Sequence, residues 1–425
     1  MARTVSGPAE ESLNGLVTVL DFVRTHGSST RPRLMHATGL TRAVVTQRVA
    51  ELVEYGLLAE GELGPSTGGR APRLLRFRAD AGHLLVADLG ATSVDIAVAD
   101  LAGQIIEHVE EPYDIAAGAD IVLDHVDELF QQCLAEADEL PGKLWGIGIG
   151  LPGPVEFHSG RPIAPPIMPG WDRHPVRERF SDYDVPIWVD NDVNVMALGE
   201  LRAGIAREHE NVVFLKIGTG IGAGIVVEGG LHRGAQGCAG DVGHIQILDV
   251  DGDDVICRCG NVNCLEAFAG GAALGRDAER LAREGRSPFL ARLLDEKGSL
   301  DARDLSRAAA HGDPASVELI TNAGRLIGRM LAGIVNFFNP SLIVIGGGVA
   351  GAGDLLLATI RESVYRRSLP LATRDLVVKR STLEGLGGVI GAAAMVTDEL
   401  FSPHRLSQWL DAGTPVGRRE LAALR

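Results

Sequence analysis

Four residues of this 425-residue chain have the types and spacing of a metal site: His244, then Cys257, Cys259 and Cys264. One imidazole and three thiols suit a tetrahedral structural zinc, with Zn–N of ~2.0 Å and Zn–S of ~2.3 Å. Four protein ligands leave no open position for a metal-bound water, so Zn2+ held this way shapes a loop and does not catalyse. The competing reading, buried cysteines beside an unrelated histidine, has to explain why two of the thiols flank a single arginine, Arg258. The other two cysteines, Cys133 and Cys238, are assigned to packing. Five cysteines in a chain of this length make no disulfide scaffold and point to a reducing compartment.

A second group lies in VPIWVDNDVNVMALGE, where Val185 to Val189 reads as a buried strand that ends on Asp190, Asn191 and Asp192. Strand ends of α/β folds are where clefts collect polar groups. A carboxylate there can take the proton of a sugar hydroxyl that attacks a phosphate, while an amide holds neighbouring hydroxyls. The same residues also suit an Asx helix cap. Glycine-rich turns flank this segment. LLVADLGATSVDIAVADLAG carries Asp88, Gly90 and Thr92 between two strands, and VVFLKIGTGIGAGIVVEGG repeats the unit around Gly218, Thr219, Gly220 and Gly222. A third cluster, LIVIGGGVAGAG, carries Gly346, Gly347 and Gly348. Such turns aim backbone N–H groups and a hydroxyl at phosphates, although glycines at strand ends are also common structural turns. The repeated strand–turn–strand unit predicts two similar halves facing a cleft, and three clusters predict a nucleotide-binding cleft or its relic.

The elements at the front of the chain position a different surface. Leu13, Leu16, Val17, Leu20 and Val23 recur at helical spacing. Ser29 and Thr30 can cap a second helix that ends at Gly39, and Thr41 can cap a third that runs to about Tyr55 and stops at Gly56. On that third helix Val45, Val49 and Leu52 share one face, while Ala43, Thr46 and Gln47 share the opposite one. Small residues let such a helix sink into the major groove, where Arg42, Thr46 and Gln47 reach base edges or phosphates. LLAEGELGPSTGGRAPRLLRF then reads as a β-hairpin wing lined by Arg70, Arg73, Arg76 and Arg78. The blander alternative is a small helical interaction module with solvated arginines.

Charge separates these two regions. The whole chain has a net charge of −16, but residues 1–80 hold ten Arg against eight Asp and Glu, which leaves 30 basic against 48 acidic residues in 81–425. The acidic bulk is a poor surface for nucleic acid and the basic front segment a plausible one. No long apolar run and no leader pattern occur, so the chain is expected to be cytoplasmic with no membrane partner. The expected units are a head at 1–80, a body at 81–400 with a zinc loop at 243–266, and a tail at 401–425 with no assigned role.

Taken together these residues resemble the ROK family (repressor, open reading frame, kinase), which contains bacterial glucokinases and sugar-responsive repressors. The most diagnostic element is Gly243-His244 followed by Cys257, Cys259, Gly260, Cys264 and Glu266. The resemblance runs from about Leu13 to Met395. It implies an α/β fold of the actin-like, ribonuclease-H-like kind with two lobes, preceded by an α+β winged helix-turn-helix, assembled as a homodimer or homotetramer. It also implies that Asn191 and Asp192 contact the sugar, with Asp192 the base in kinases, and that Asp241, His244 and Glu266 touch the sugar as well. His244 would then link sugar and metal through its two ring nitrogens.

Several positions depart from the kinase pattern. Ala91 and Ser93 stand where a glycine and a basic or similar polar residue are usual, Asp241 replaces a glutamate, Pro166 or Ile167 replaces an asparagine ahead of Trp171, and Asn263 replaces a glycine. These departures favour a regulator that binds an operator in double-stranded DNA and senses a sugar or sugar phosphate. The rivals are an ATP- and Mg2+-dependent hexose kinase with a DNA-binding head, and a sugar sensor that acts through protein partners.

Overall fold

The computed structural model describes residues 8–63, 72–248, 254–351, 353–383 and 385–423, with the side chains of 8–10 left aside. Its head begins with helices Pro8–His26, Arg31–Thr38 and Arg42–Glu54. The Thr30 and Thr41 hydroxyls accept the backbone N–H of Arg33 and Val44, and Gly39 ends the second helix at φ 69°, a left-handed angle that costs glycine nothing. Val45, Val49 and Leu52 are buried against Leu16, Leu20, Val23 and Leu34. Thr41, Arg42, Ala43, Thr46 and Gln47 are exposed on the opposite face. Strands Leu58–Leu63 and Arg73–Phe77 pair antiparallel as a hairpin, and Ser29 adds a third bridge to Leu75. The expected wing is therefore present at its base, whereas its tip and Arg70 lie outside the described residues. Arg73 and Arg76 are exposed on the hairpin, but Arg78 lies past its end and pairs with Asp80 at 2.8 Å, so it does not line the wing.

Two five-stranded sheets follow with the same topology. In the first, Ile105–Pro112, Ser93–Asp100 and Gly82–Leu89 run antiparallel, and Lys143–Leu151 and Ile187–Asn191 continue the sheet in parallel. In the second, Gly230–Leu231, Ile221–Val227 and Val212–Ile217 are antiparallel and Leu342–Gly346 and Val377–Arg380 parallel. The repeat read from the two glycine turns thus extends over whole lobes, which is the two-lobed actin-like α/β fold.

A helix leaves the last strand of each sheet, Asp192–Arg202 from the first and Gly387–Leu400 from the second, and the two pack on each other. They meet backbone to backbone: a Cβ on Gly391 would lie 1.7 Å from the Val195 carbonyl oxygen, and one on Gly199 2.1 Å from that of Gly387. Only glycine fits either position. The tail also has a place. Its helix Pro403–Trp409 buries Trp409 against Trp145 and Phe401, its Nε1 donates to the Leu400 carbonyl at 3.0 Å, and Leu421 joins the core shared with the head.

Candidate functional site

The ligand atoms of His244, Cys257, Cys259 and Cys264 all lie within 4.8 Å of one another. His244 Nδ1 is 3.7 Å from Cys257 Sγ, and Cys259 Sγ is 3.7 Å from Cys264 Sγ. Sulfurs ~2.3 Å from a tetrahedral zinc would stand about 3.8 Å apart, so the four residues fit a metal ion. The loop around them is built for this approach. Asn263 takes φ 57°, which asparagine tolerates, and its side chain ties Val255 and Asp254 at 2.8 Å each. Burial pushes the Cys264 thiol up to about 12, so a metal entering this site has to displace thiol protons.

His244, alone of the four cluster residues, lines a cleft of about 990 Å3 between the lobes. Asn191, Asp192, Asp241, His244 and Glu266 all line it. His244 presents Nδ1 to the thiols and Nε2 towards Asp241, 3.7 Å away, so the two nitrogens do face metal and cleft separately. Glu266 is oriented by the Ile221 N–H, which donates to it at 2.9 Å. Asn191 is both cleft residue and helix cap: its Oδ1 accepts the N–H of Val193 and Asn194 while Nδ2 donates to the Gly153 carbonyl at 2.9 Å. The two readings of that motif were not exclusive. Asp190 is a structural member, paired with Arg233 at 2.6 Å and holding Asn194 at 2.9 Å.

Of the glycine-turn residues, Gly90, Thr92, Gly218, Thr219, Gly220 and Gly348 line the cleft, as do Ala91 and Ser93. Asp88 lies buried beneath the first turn, and neither Gly346 nor Gly347 lines the cleft. Instead a Cβ at Gly346 would strike Phe214 at 2.5 Å and one at Gly347 the Ile217 carbonyl at 2.6 Å, so these two glycines serve packing. Trp171 is fully buried and donates to the Ile115 carbonyl, whereas Pro166 and Ile167 face the cleft. Cys133 is buried as expected, but Cys238 is exposed and lines the cleft, in an irregular segment between strand and helix.

Two groups went unrecognised in the sequence. Lys216, next to last in the otherwise apolar strand Val212–Ile217, places its ammonium 2.5 Å from Asp192 Oδ2. A lone charge in an otherwise apolar strand was the signal. The other group joins head to body. Arg24 on the first helix, its side chain 8% exposed, donates to Asp398 at 2.8 Å, Thr397 at 3.1 Å and Asp21 at 3.2 Å, and Arg202 reaches the same Asp398 at 2.5 Å. Burial opposes the Asp398 charge, but Arg24 and Arg202 outweigh it and hold the carboxyl below its ordinary value.

Behind Asp88, Asp95 is pushed up to about 8 by burial, then by the charges of Asp88 and Glu110; its Oδ1 has no hydrogen-bond partner among the described residues, and His108 Nε2 stands 3.6 Å from it. A folded-state value above the unfolded 3.8 means that this carboxyl costs stability progressively as pH climbs from 3.8 to about 8. Asp95→Asn is therefore expected to raise the melting temperature, by more at pH 8 than at pH 5. Melting curves across that range check it, and a gain that shrinks with pH would contradict the assignment.

Fold and site together define a two-lobed protein of the sugar-kinase kind that carries a winged helix-turn-helix head and a His/Cys cluster able to hold a metal. The ROK family model matches residues 85–399, and the chain belongs to that family. It is similar to the xylose repressor of Caldicellulosiruptor bescii, 30% identical over 386 residues that cover 90% of this chain and 95% of the repressor. Among solved structures, a ROK family transcriptional regulator, homolog of the E. coli MLC protein, superposes with a TM-score of 0.78 at 27% identity and covers 95% of this chain and all of its own. A ROK family glucokinase from Streptomyces griseus, in complex with glucose and AMPPNP, superposes with a TM-score of 0.64 at 30% identity but covers 74% of this chain and 99% of its own.

Proposed function

We propose that this chain is a sugar-responsive transcriptional repressor whose head binds an operator in duplex DNA and whose cleft binds a sugar as effector. The observation that carries the reading is the match to regulators over 90–95% of the chain, head included, where the glucokinase reaches only 74%. The head supports it physically, with a polar helix face of Thr41, Arg42, Ala43, Thr46 and Gln47 left exposed. Gln47 donates to Glu51 at 2.9 Å in the free chain, a bond it has to exchange for a base edge. Two copies, in a homodimer or a homotetramer, would set two heads on half-sites about one or more helical turns of ~10.5 bp apart. No described helix is long and apolar enough to cross a membrane, in keeping with a cytoplasmic regulator.

In this reading Asn191, Asp192, Asp241, His244 and Glu266 hold the sugar hydroxyls. His244, Cys257, Cys259 and Cys264 hold a structural zinc that fixes which nitrogen of His244 is free for the sugar. With Pro166 and Ile167 facing the cleft, the effector forgoes an amide contact there. The helix Asp192–Arg202 begins at the sugar and ends on the Arg24–Asp398 pair, about 16 Å away at 1.5 Å per residue. Sugar binding that favours one lobe arrangement is reported to the head along it.

The test is an electrophoretic shift on the upstream region of the chain's own gene, with a panel of pentoses, hexoses and sugar phosphates. Binding should weaken with salt by ~0.9 log unit per tenfold salt for each phosphate neutralised, and one sugar class should release the DNA. Salt-independent binding, or none, would leave a sensor acting through protein partners.

A further inference from the structure

Lys216 is a cation in a cleft whose relatives bind nucleotide. Its strand Val212–Ile217 faces the helix that carries Asp192, and its ammonium lies 2.5 Å from Asp192 Oδ2 with the side chain 20% exposed. The other carboxylate oxygen is also taken: Asp192 Oδ1 accepts the Val193 N–H at 2.8 Å and the Asn191 amide at 3.1 Å. Beneath the first glycine turn, Asp88 lies against Gly388 and Gly150, where a Cβ would come within 1.8 and 2.7 Å of its oxygens, and its Oδ1 has no hydrogen-bond partner among the described residues. Its charge interacts with those of both Lys216 and Asp192. Two buried carboxylates close together at neighbouring strand ends need a positive charge beside them.

We propose that Lys216 is a built-in cation that holds the place of a divalent metal in this cleft, so that the cleft binds a sugar but does not transfer a phosphoryl group to it. A general base needs a lone pair within hydrogen-bond reach of the substrate proton, and Lys216 occupies the oxygen of Asp192 that would supply it. Phosphoryl transfer further requires a metal that bridges the β- and γ-phosphate oxygens, and an ammonium has only donors and no coordination sites. Removing Lys216 from the pair would strand its charge beside the apolar strand, so Mg2+ cannot displace it cheaply. The residues present therefore do not fit the metal–nucleotide site of a sugar kinase, although the turns that would cradle phosphates remain.

The inference rests on the sugar-sensing reading of the cleft, but its test needs neither operator nor sugar. Zinc-loaded full-length chain is titrated with Mn2+ and followed by water proton relaxation. The unsubstituted chain is expected to show no binding that depends on Asp192. Lys216→Met should gain one Mn2+ site, tighter by about tenfold to a thousandfold, the range over which one nearby charge shifts the ion affinity of a carboxylate. That site should vanish in Lys216→Met combined with Asp192→Asn, and Lys216→Arg, which keeps a cation, should not gain it. Circular dichroism checks folding, and Lys216→Gln replaces Lys216→Met if the latter does not fold. An unchanged Mn2+ titration in the folded neutral variant overturns the proposal. So does Asp192-dependent Mn2+ binding, or Asp192-dependent phosphorylation of a sugar with ATP and Mg2+, by the unsubstituted chain. A failed operator shift would instead strike the repressor reading and leave this result standing.

Discussion

Replacing Asp398 by alanine is expected to leave a chain that still finds its operator but no longer releases it when sugar is added. Asp398 bridges Arg24 of the head and Arg202 at the far end of the helix that starts in the sugar cleft. Taking away Asp398 leaves Arg202 without this carboxylate and Arg24 with Asp21 and Thr397, at a cost of about 3 kcal/mol, the lower end for buried pairs because this site is partly exposed. The variant should therefore melt earlier. Its recognition helix should not change, because the head's own core of Leu20, Val23, Val45, Val49 and Leu52 does not include Asp398.

Coupling between two ligands is reciprocal, and typical values of 1–3 kcal/mol correspond to about 5–150-fold. In the unsubstituted chain, sugar should weaken operator binding and operator should weaken sugar binding by one shared factor. In Asp398→Ala both factors should fall towards one together. Fluorescence anisotropy with and without sugar, paired with calorimetry with and without operator, reads both. If the variant keeps the full factor, the helix is not the route. Because the Asp398 carboxyl is held below its ordinary value, its stabilising charge is present above 3.8 and is lost only as pH falls further, so the contribution of this pair to coupling should be flat between pH 5 and 8.

What the sequence disclosed follows from how local each signal is. Thr30, Gly39 and Thr41 announce their helix ends because a cap is made within four residues, and the opposed faces of Arg42–Glu54 follow from helical periodicity alone. The metal ligands were legible because three of the four lie within eight residues of each other. The lobe repeat was legible because a strand–turn–strand unit has a local pattern. Arg24 and Asp398 are 374 positions apart, and neither residue type nor spacing announces that pair. The tail was unreadable for a similar reason: Trp409 is buried by Trp145 and Phe401, partners that its own helix does not supply. Lys216 differs from these, since a charge among Val212, Val213, Phe214, Leu215 and Ile217 was visible and asked for a buried counter-charge.

Loss of the metal should affect the sugar cleft itself. Cys259→Ser removes one thiolate of the four, and a chain so altered is expected to purify without stoichiometric zinc and to bind sugar more weakly. The reason is positional. The Leu265 N–H donates to Ile245 just after the last thiol, and Glu266 opens the short helix Glu266–Ala269, so two cleft residues, His244 and Glu266, depend on the loop that the metal closes. Each hydrogen bond they lose is worth ~0.5–1.5 kcal/mol, so losing both should weaken sugar binding by about tenfold to a hundredfold. Operator affinity without sugar should stay put, because the buried core of the head contains none of these residues. Thus zinc removal and Asp398→Ala both blunt induction, but by different losses: the first by weakening sugar binding, the second by failing to transmit it. Zinc content by atomic emission and sugar titration by calorimetry separate them. Stoichiometric zinc in Cys259→Ser, or undiminished sugar affinity in a zinc-free chain, would show that the cluster does not organise the cleft.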